Sequence, residues 1–177
     1  MSVELVVAST DEISRAELAA IRSLVEEAFE GSFDENDWAH TLGGTHVFAV
    51  DGVIVAHAAV VPRTLVAADR ELRTGYVEGV ATARAHRNLG LGSKAMRKIA
   101  AIIAARFELG ALATNVQGFY YRLGWEPWKG PTYVDSPSGR VRTADEDGGI
   151  LIMRTPQTPE LDTGVSLTCD WRQGDVW

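Results

Sequence analysis

The stretch Arg87-Asn-Leu-Gly-Leu-Gly-Ser-Lys94 constrains this chain more than any other. It follows a β-branched run that extends from about Leu72 to Thr82. It precedes an amphipathic run from about Leu91 to Arg106, in which Met96, Ile99, Ala100 and Ile103 form an apolar face. The order is therefore strand, glycine loop, helix. Glycines admit positive φ and let other atoms approach the backbone closely. Successive amides at a helix N-terminus make a site for an anion, and Arg87 adds a fixed charge. A pyrophosphate is the natural guest; a bare tight turn is the reading that two glycines alone leave open.

Two phosphate-binding patterns fit poorly. A P-loop needs Gly-x-x-x-x-Gly-Lys-[Ser/Thr], and here Lys94 follows Ser93 and precedes Ala95. The dinucleotide fingerprint matches in form from Gly90 to Ala95, yet it belongs at the start of a βαβ unit. About half of this chain comes first, and it reads as antiparallel hairpins.

The elements around the loop are legible in the same way. Val3–Ser9 is a first strand. Ser14 and Glu17 have capping-box spacing, and Ile13 and Leu18 stand where a hydrophobic staple would. Leu18, Ile21, Val25 and Ala28 then line a helix to about Phe29. A short, acid-started helix ends at Gly43. Asp51-Gly52 marks a hairpin turn, and a further hairpin leads into the long strand. After the long helix come a short strand (Gly-Ala-Leu-Ala-Thr), a short helix (Val-Gln-Gly-Phe-Tyr-Tyr-Arg-Leu), and two strands separated by a polar stretch. Residues after Arg154 read as loop and tail. The order predicts a mixed α/β (α+β) domain spanning 1–177, with antiparallel N-terminal strands and flanking helices.

The totals exclude several functions. The 177 residues are 46% apolar, enough for one real core. Apolar runs are too short to span a membrane, and the N-terminal segment lacks the basic region of a signal peptide. Cys169 is the only cysteine, so no internal disulfide forms, in keeping with a cytoplasmic protein. The net charge of −7 disfavours nucleic acid and suits a small cation. The four histidines show no metal-ligand spacing, and no metal is expected. His57, inside an apolar run, reads as a hydrogen-bonded core residue.

Arg-x-x-Gly-x-Gly between a long strand and a long helix resembles the acetyl-coenzyme A signature of the GNAT N-acetyltransferases. Tyr120-Tyr-Arg-Leu-Gly-Trp125 resembles the family's tyrosine block. Asn36–Gly44, Gly75–Ala81, Gly124–Thr132, Asp145–Gly148 and the final Cys169–Trp177 together resemble the aminoglycoside 2′-N-acetyltransferases, over most of the chain. The resemblance implies a GNAT fold, acetyl-coenzyme A as co-substrate, and an aminoglycoside as acceptor. It implies that Val80 and Thr82 pair with the pantetheine arm. It also implies that Arg87, Asn88, Leu89, Gly90, Leu91 and Gly92 hold the pyrophosphate.

Acetyl transfer needs a neutral amine, a stabilised oxyanion and a proton for the leaving thiolate. Glu78 is the expected base, acting through ordered water. The Val80 N–H is the expected oxyanion donor, and Tyr120, rather than Tyr121, the expected acid. Asp37, Glu78, Glu146, Asp175 and Trp177 are expected to hold a polycationic drug. Trp177 and Trp38 are expected to stack on it, and Trp171 to pack into the core. The chain departs from the family pattern at Ser32, Ala113, Thr114 and Glu146, which bears on the drug spectrum. A homodimer through the C-terminal strands is the expected assembly. Two alternatives stay open on the residues alone: a GNAT enzyme for another small amine, and a non-catalytic drug-binding protein of the same fold.

Overall fold

In the computed structural model, which describes residues 3–177, the chain forms two compact units. The first comprises residues 3–61 and Val77–Ile99, the second Pro62–Tyr76 and Ala100–Trp177.

In the first unit, β1 (Glu4–Ser9) pairs antiparallel with β2 (Thr45–Asp51). β2 turns at Gly52, φ +71°, into β3 (Val53–Ala67), with Asp51 opposite Val53. The Asp-Gly signal thus makes the hairpin it predicts. Helix α1 (Arg15–Ala28) starts at the capping box: the Ser14 hydroxyl accepts from the Glu17 amide, 3.2 Å, and the Glu17 carboxylate accepts from the Ser14 amide, 3.0 Å. Ile13, Ile21, Leu24 and Val25 bury against Phe48 and Ala81. Each such side chain contributes about 1.5–3 kcal/mol on burial. Helix α2 (Glu35–Thr41) is capped by Asp34. The long strand β4 (Arg70–Thr82) ends in this unit, and helix α3 (Leu91–Arg106) begins in it. Leu91 anchors the helix start among Ala49, Val55 and Ala56.

In the second unit, β4 pairs parallel with β5 (Leu109–Ala113), Thr74 opposite Leu109 through Tyr76 opposite Ala111. β5 pairs antiparallel with β9 (Ile150–Arg154), and β9 with β6 (Glu126–Pro127). On the other side β10 (Leu167–Asp170) lies antiparallel to β3 and parallel to β7 (Thr132–Ser136), which forms a hairpin with β8 (Gly139–Arg142). The short helix α4 (Gln117–Tyr121) follows β5. Helix boundaries agree with the periodicity; α3 runs from Leu91 to Arg106 as expected.

The first of the two strands expected after the short helix is divided into β6 and β7, which pair with different neighbours. Two further strands escape the sequence reading. β8 is exposed at all four residues, so no apolar alternation betrays it. β10 is a strand because β3 and β7 flank it. Buried Arg63 fastens it: Nε donates to Asp170 Oδ1 over 2.9 Å and Nη2 to the Asp170 carbonyl over 2.7 Å. The tryptophans exchange the expected places. Trp171 is 47% exposed, whereas Trp128 and Trp177 are buried. The indole of Trp128 reaches a carbonyl acceptor, Val165, at 2.9 Å, which lets so large a polar-edged ring sit inside.

Candidate active site

β4 carries a left-handed residue in mid-strand, Gly79, φ +58°. A Cβ there would lie 3.1 Å from Thr41 Cγ2 and 3.4 Å from His57 Cε1, so both backbone angle and space require glycine. Such a kink re-aims its neighbours. Glu78 precedes it and Val80 follows it, both half-buried. The Gly79 carbonyl accepts from His57 Nδ1 over 2.7 Å.

Beyond Thr82 the chain makes one 3-10 turn (Arg84–His86) and then the glycine loop. Asn88 and Gly90 are left-handed, φ +63° and +77°. The first helical bond of α3 runs from the Lys94 amide to the Gly90 carbonyl, 3.0 Å. The amides of Leu91, Gly92 and Ser93 therefore begin the helix without an intrahelical acceptor. Arg87 is exposed, with Nε 3.4 Å from the Thr82 carbonyl. A cavity of about 360 Å³ opens beside the loop, between the end of α1 (Leu24, Glu27, Ala28, Glu30) and Thr82, Ala83, Arg84 and Arg87. Arg84 escaped the sequence reading because it lies three residues before the motif's arginine; it brings a second cation to the same cavity.

In the second unit Tyr120 is buried on α4, edge-on to Trp125 at 6.3 Å between ring centres. Burial pushes its phenol up to about 12, so it is protonated at neutral pH. Tyr121 is exposed, and its hydroxyl donates to Gln117 Oε1 over 2.5 Å. The two tyrosines therefore differ in surroundings, one buried and the other exposed.

The acids separate into two groups. Asp37 serves α2: Oδ2 accepts from the Asp34 amide over 2.8 Å, closing a capping box. Asp147 holds a turn, accepting from Arg142 Nη1 over 2.8 Å and from the Thr132 amide and hydroxyl over 3.0 Å. These bonds, the guanidinium first, keep it well below the usual carboxylate range. Glu146 is different. It is half-buried, and burial, followed by the charges of Asp175 and Asp145, pushes its pKa up. Glu146 and Asp175, from separate segments, therefore share one field.

The tail is pinned beside them. The Trp177 indole donates to Thr143 Oγ1 over 2.9 Å, and its amide to Asp175 Oδ1 over 3.1 Å. Arg172 donates to the main-chain oxygens of Asp175 and Trp177, at 2.8 and 2.9 Å. The Trp177 ring is 3% exposed. Its expected role of stacking on a ligand gives way here to anchoring the tail. Trp38 is likewise engaged, packed on the α1 core with the Arg22 guanidinium 5.9 Å from its ring centre. Among the described residues no group of three His, Cys, Asp or Glu side chains could hold a metal, and no helix is long and apolar enough to cross a membrane.

Residues 9–128 match the acetyltransferase (GNAT) domain family. The chain is 42% identical over 173 residues to the aminoglycoside 2′-N-acetyltransferase of Mycolicibacterium fortuitum, covering 95% of this chain and 89% of that one. The chain belongs to the aminoglycoside 2′-N-acetyltransferase family of GNAT enzymes. The GNAT fold recurs in Escherichia coli YhbS, solved with CoA (TM-score 0.68, 15% identity, 98% of this chain and 92% of that one). It recurs also in the GCN5-related N-acetyltransferase of Kribbella flavida (TM-score 0.59, 22% identity, 73% of this chain). The chain spans about a third of that longer protein, 35%. As a GNAT enzyme it is an acetyltransferase, and the glycine loop and kinked β4 stand within the matched residues.

Proposed function

We propose that the chain transfers the acetyl group of acetyl-coenzyme A to the 2′-amine of aminoglycosides, inactivating the drugs. The observation that carries this reading is the 42% identity over 95% of the chain to an enzyme of that name. The acidic pair Glu146 and Asp175 supports it: burial first, then the charge of Asp175, raises the Glu146 pKa, and a bound cation relieves both.

The pyrophosphate is bound by the Leu91, Gly92 and Ser93 amides, with Arg87 and Arg84 supplying charge. The Val80 and Thr82 backbone orients the pantetheine arm. Glu78 accepts the proton of the substrate ammonium through ordered water and favours the neutral amine electrostatically. The Val80 N–H donates to the thioester oxygen as negative charge gathers there. Tyr120 hydrogen-bonds to the departing thiolate. Its pKa of about 12 exceeds the ordinary thiol value of about 8.5, but dry surroundings raise both acids together. Asp175 and Glu146 bind the acceptor's ammonium groups. A cytoplasmic site of action fits the single, buried cysteine, Cys169.

Mass spectrometry after incubation with acetyl-coenzyme A tests the reading. Tobramycin, with an amine at C2′, gains one acetyl group; kanamycin A, with a hydroxyl there, gains none. Equal acetylation of both overturns the 2′ assignment.

A further inference from the structure

The first unit contains a chain of hydrogen bonds with no role in the chemistry so far. Thr10 Oγ1 lies 2.8 Å from His46 Nε2; His46 Nδ1 lies 2.9 Å from His57 Nε2; His57 Nδ1 lies 2.7 Å from the Gly79 carbonyl. Both histidines are fully buried. The β2–β3 register explains their meeting. His46 stands opposite Ala59, two residues from His57, so the rings are diagonal neighbours on one face, 5.2 Å apart.

The direction of the chain is fixed from one end. A carbonyl can only accept, so His57 carries its proton on Nδ1. Its Nε2 is then an acceptor, so His46 also carries its proton on Nδ1. The His46 Nε2 in turn accepts from the Thr10 hydroxyl, which itself accepts from the Gly43 amide over 2.9 Å. Every ring nitrogen is satisfied with both rings neutral. Burial agrees, pushing His46 down to about 4 and His57 down to about 3. The chain ends on a carbonyl, which cannot pass a proton on. It is therefore a brace rather than a proton path.

We propose that His57, held in one tautomer by His46 and Thr10, is a positioning residue for acetyl transfer: by bonding the Gly79 carbonyl it fixes the left-handed kink of β4 and so aims the Glu78 carboxylate and the Val80 N–H. This rests on the roles given to Glu78 and Val80 above. A left-handed residue within a strand is costly to maintain unless its surroundings over-determine it. Here the Thr41 and His57 side chains both close on the space a Cβ would fill, and His57 also bonds the Gly79 carbonyl.

Isosteric amides separate positioning from packing. An asparagine amide nitrogen falls near the position of His Nδ1, a glutamine amide nitrogen near Nε2. His57→Asn keeps the donor to Gly79; His57→Gln loses it. With acetyl-coenzyme A and tobramycin, His57→Gln lowers kcat at least about tenfold while both KM values stay within about threefold, and His57→Asn stays within about threefold of the parent in kcat. Equal kcat loss in the two variants, in proportion to their melting temperatures, overturns the proposal, as does an unchanged kcat in His57→Gln. Nitrogen-15 imidazole spectra of the unsubstituted protein need no variant to fold and no activity. Protonated Nδ1 on both His46 and His57 is expected; a protonated Nε2 on His57 overturns the proposal. A parent protein with the expected tautomers but no acetylation of tobramycin would instead refute the acetyltransferase reading.

Discussion

The Trp177 indole N–H donates to Thr143 Oγ1 over 2.9 Å, tying the tail to the turn that also carries Glu146. Asp175, two residues earlier, accepts from the Trp177 amide and adds its charge to the field at Glu146. The ring fixes the tail, and the tail places the acid.

That linkage predicts the effect of Trp177→Phe, which keeps most of the packing and removes the donor. Urea denaturation should show a loss of about 1 kcal/mol, the net value of one hydrogen bond. The tobramycin KM should rise severalfold, with the acetyl-coenzyme A KM unchanged. An equal rise in both KM values would mean that the tail only stabilises the fold.

Removing the repulsion should be visible directly. In Asp175→Asn the Glu146 carboxyl should titrate lower than in the parent, as measured by carbon-detected NMR. The sign for stability follows. A carboxylate whose folded pKa is raised stabilises the protein while protonated, and this contribution is lost as pH rises through that raised value. Acidification through the Glu146 range should therefore stabilise the ligand-free parent more than Asp175→Asn. Drug affinity should move oppositely, weakening as Glu146 takes up a proton. One lost charged contact of about 1.5–3 kcal/mol corresponds to roughly ten- to a hundredfold in affinity, readable by calorimetric titration of Asp175→Asn.

Gly90→Val isolates the coenzyme loop. A Cβ at Gly90 meets nothing within 4 Å, so the burden is conformational, from φ +77°. Such strain amounts to about 1–3 kcal/mol, and the loop relieves it by leaving the phosphate-binding conformation. The acetyl-coenzyme A KM should rise at least about tenfold, and the drug KM should stay within about twofold. An unchanged coenzyme KM in the folded variant would remove the pyrophosphate from this loop.

Tyr120→Phe should lower kcat by about a hundredfold with little change in either KM, the scale of a lost general acid. Tyr121→Phe should be nearly silent, because that hydroxyl is exposed and bonded to Gln117. Steady-state kinetics of the two variants decide between them.

What the sequence by itself determined is local. Ser14 with Glu17, Asp51 with Gly52, and Gly90 ahead of an amphipathic run act within a few residues, where backbone sterics and one or two hydrogen bonds set the outcome. The glycine loop and the tyrosine spacing were legible for that reason, and with them the family. Tertiary structure decided whatever depends on partners far along the chain. β10 exists between β3 and β7, and Trp177 rather than Trp171 is buried because its N–H finds Thr143, 34 residues away. Asp147 became a structural ion pair with Arg142, whereas burial and the neighbouring acids raise the pKa of Glu146 beside it. His57 reads from the sequence as a core residue by itself; the strand register brings His46 to the same face. A hydrogen bond needs both groups at one distance and angle, and only packing across the sheet supplies that.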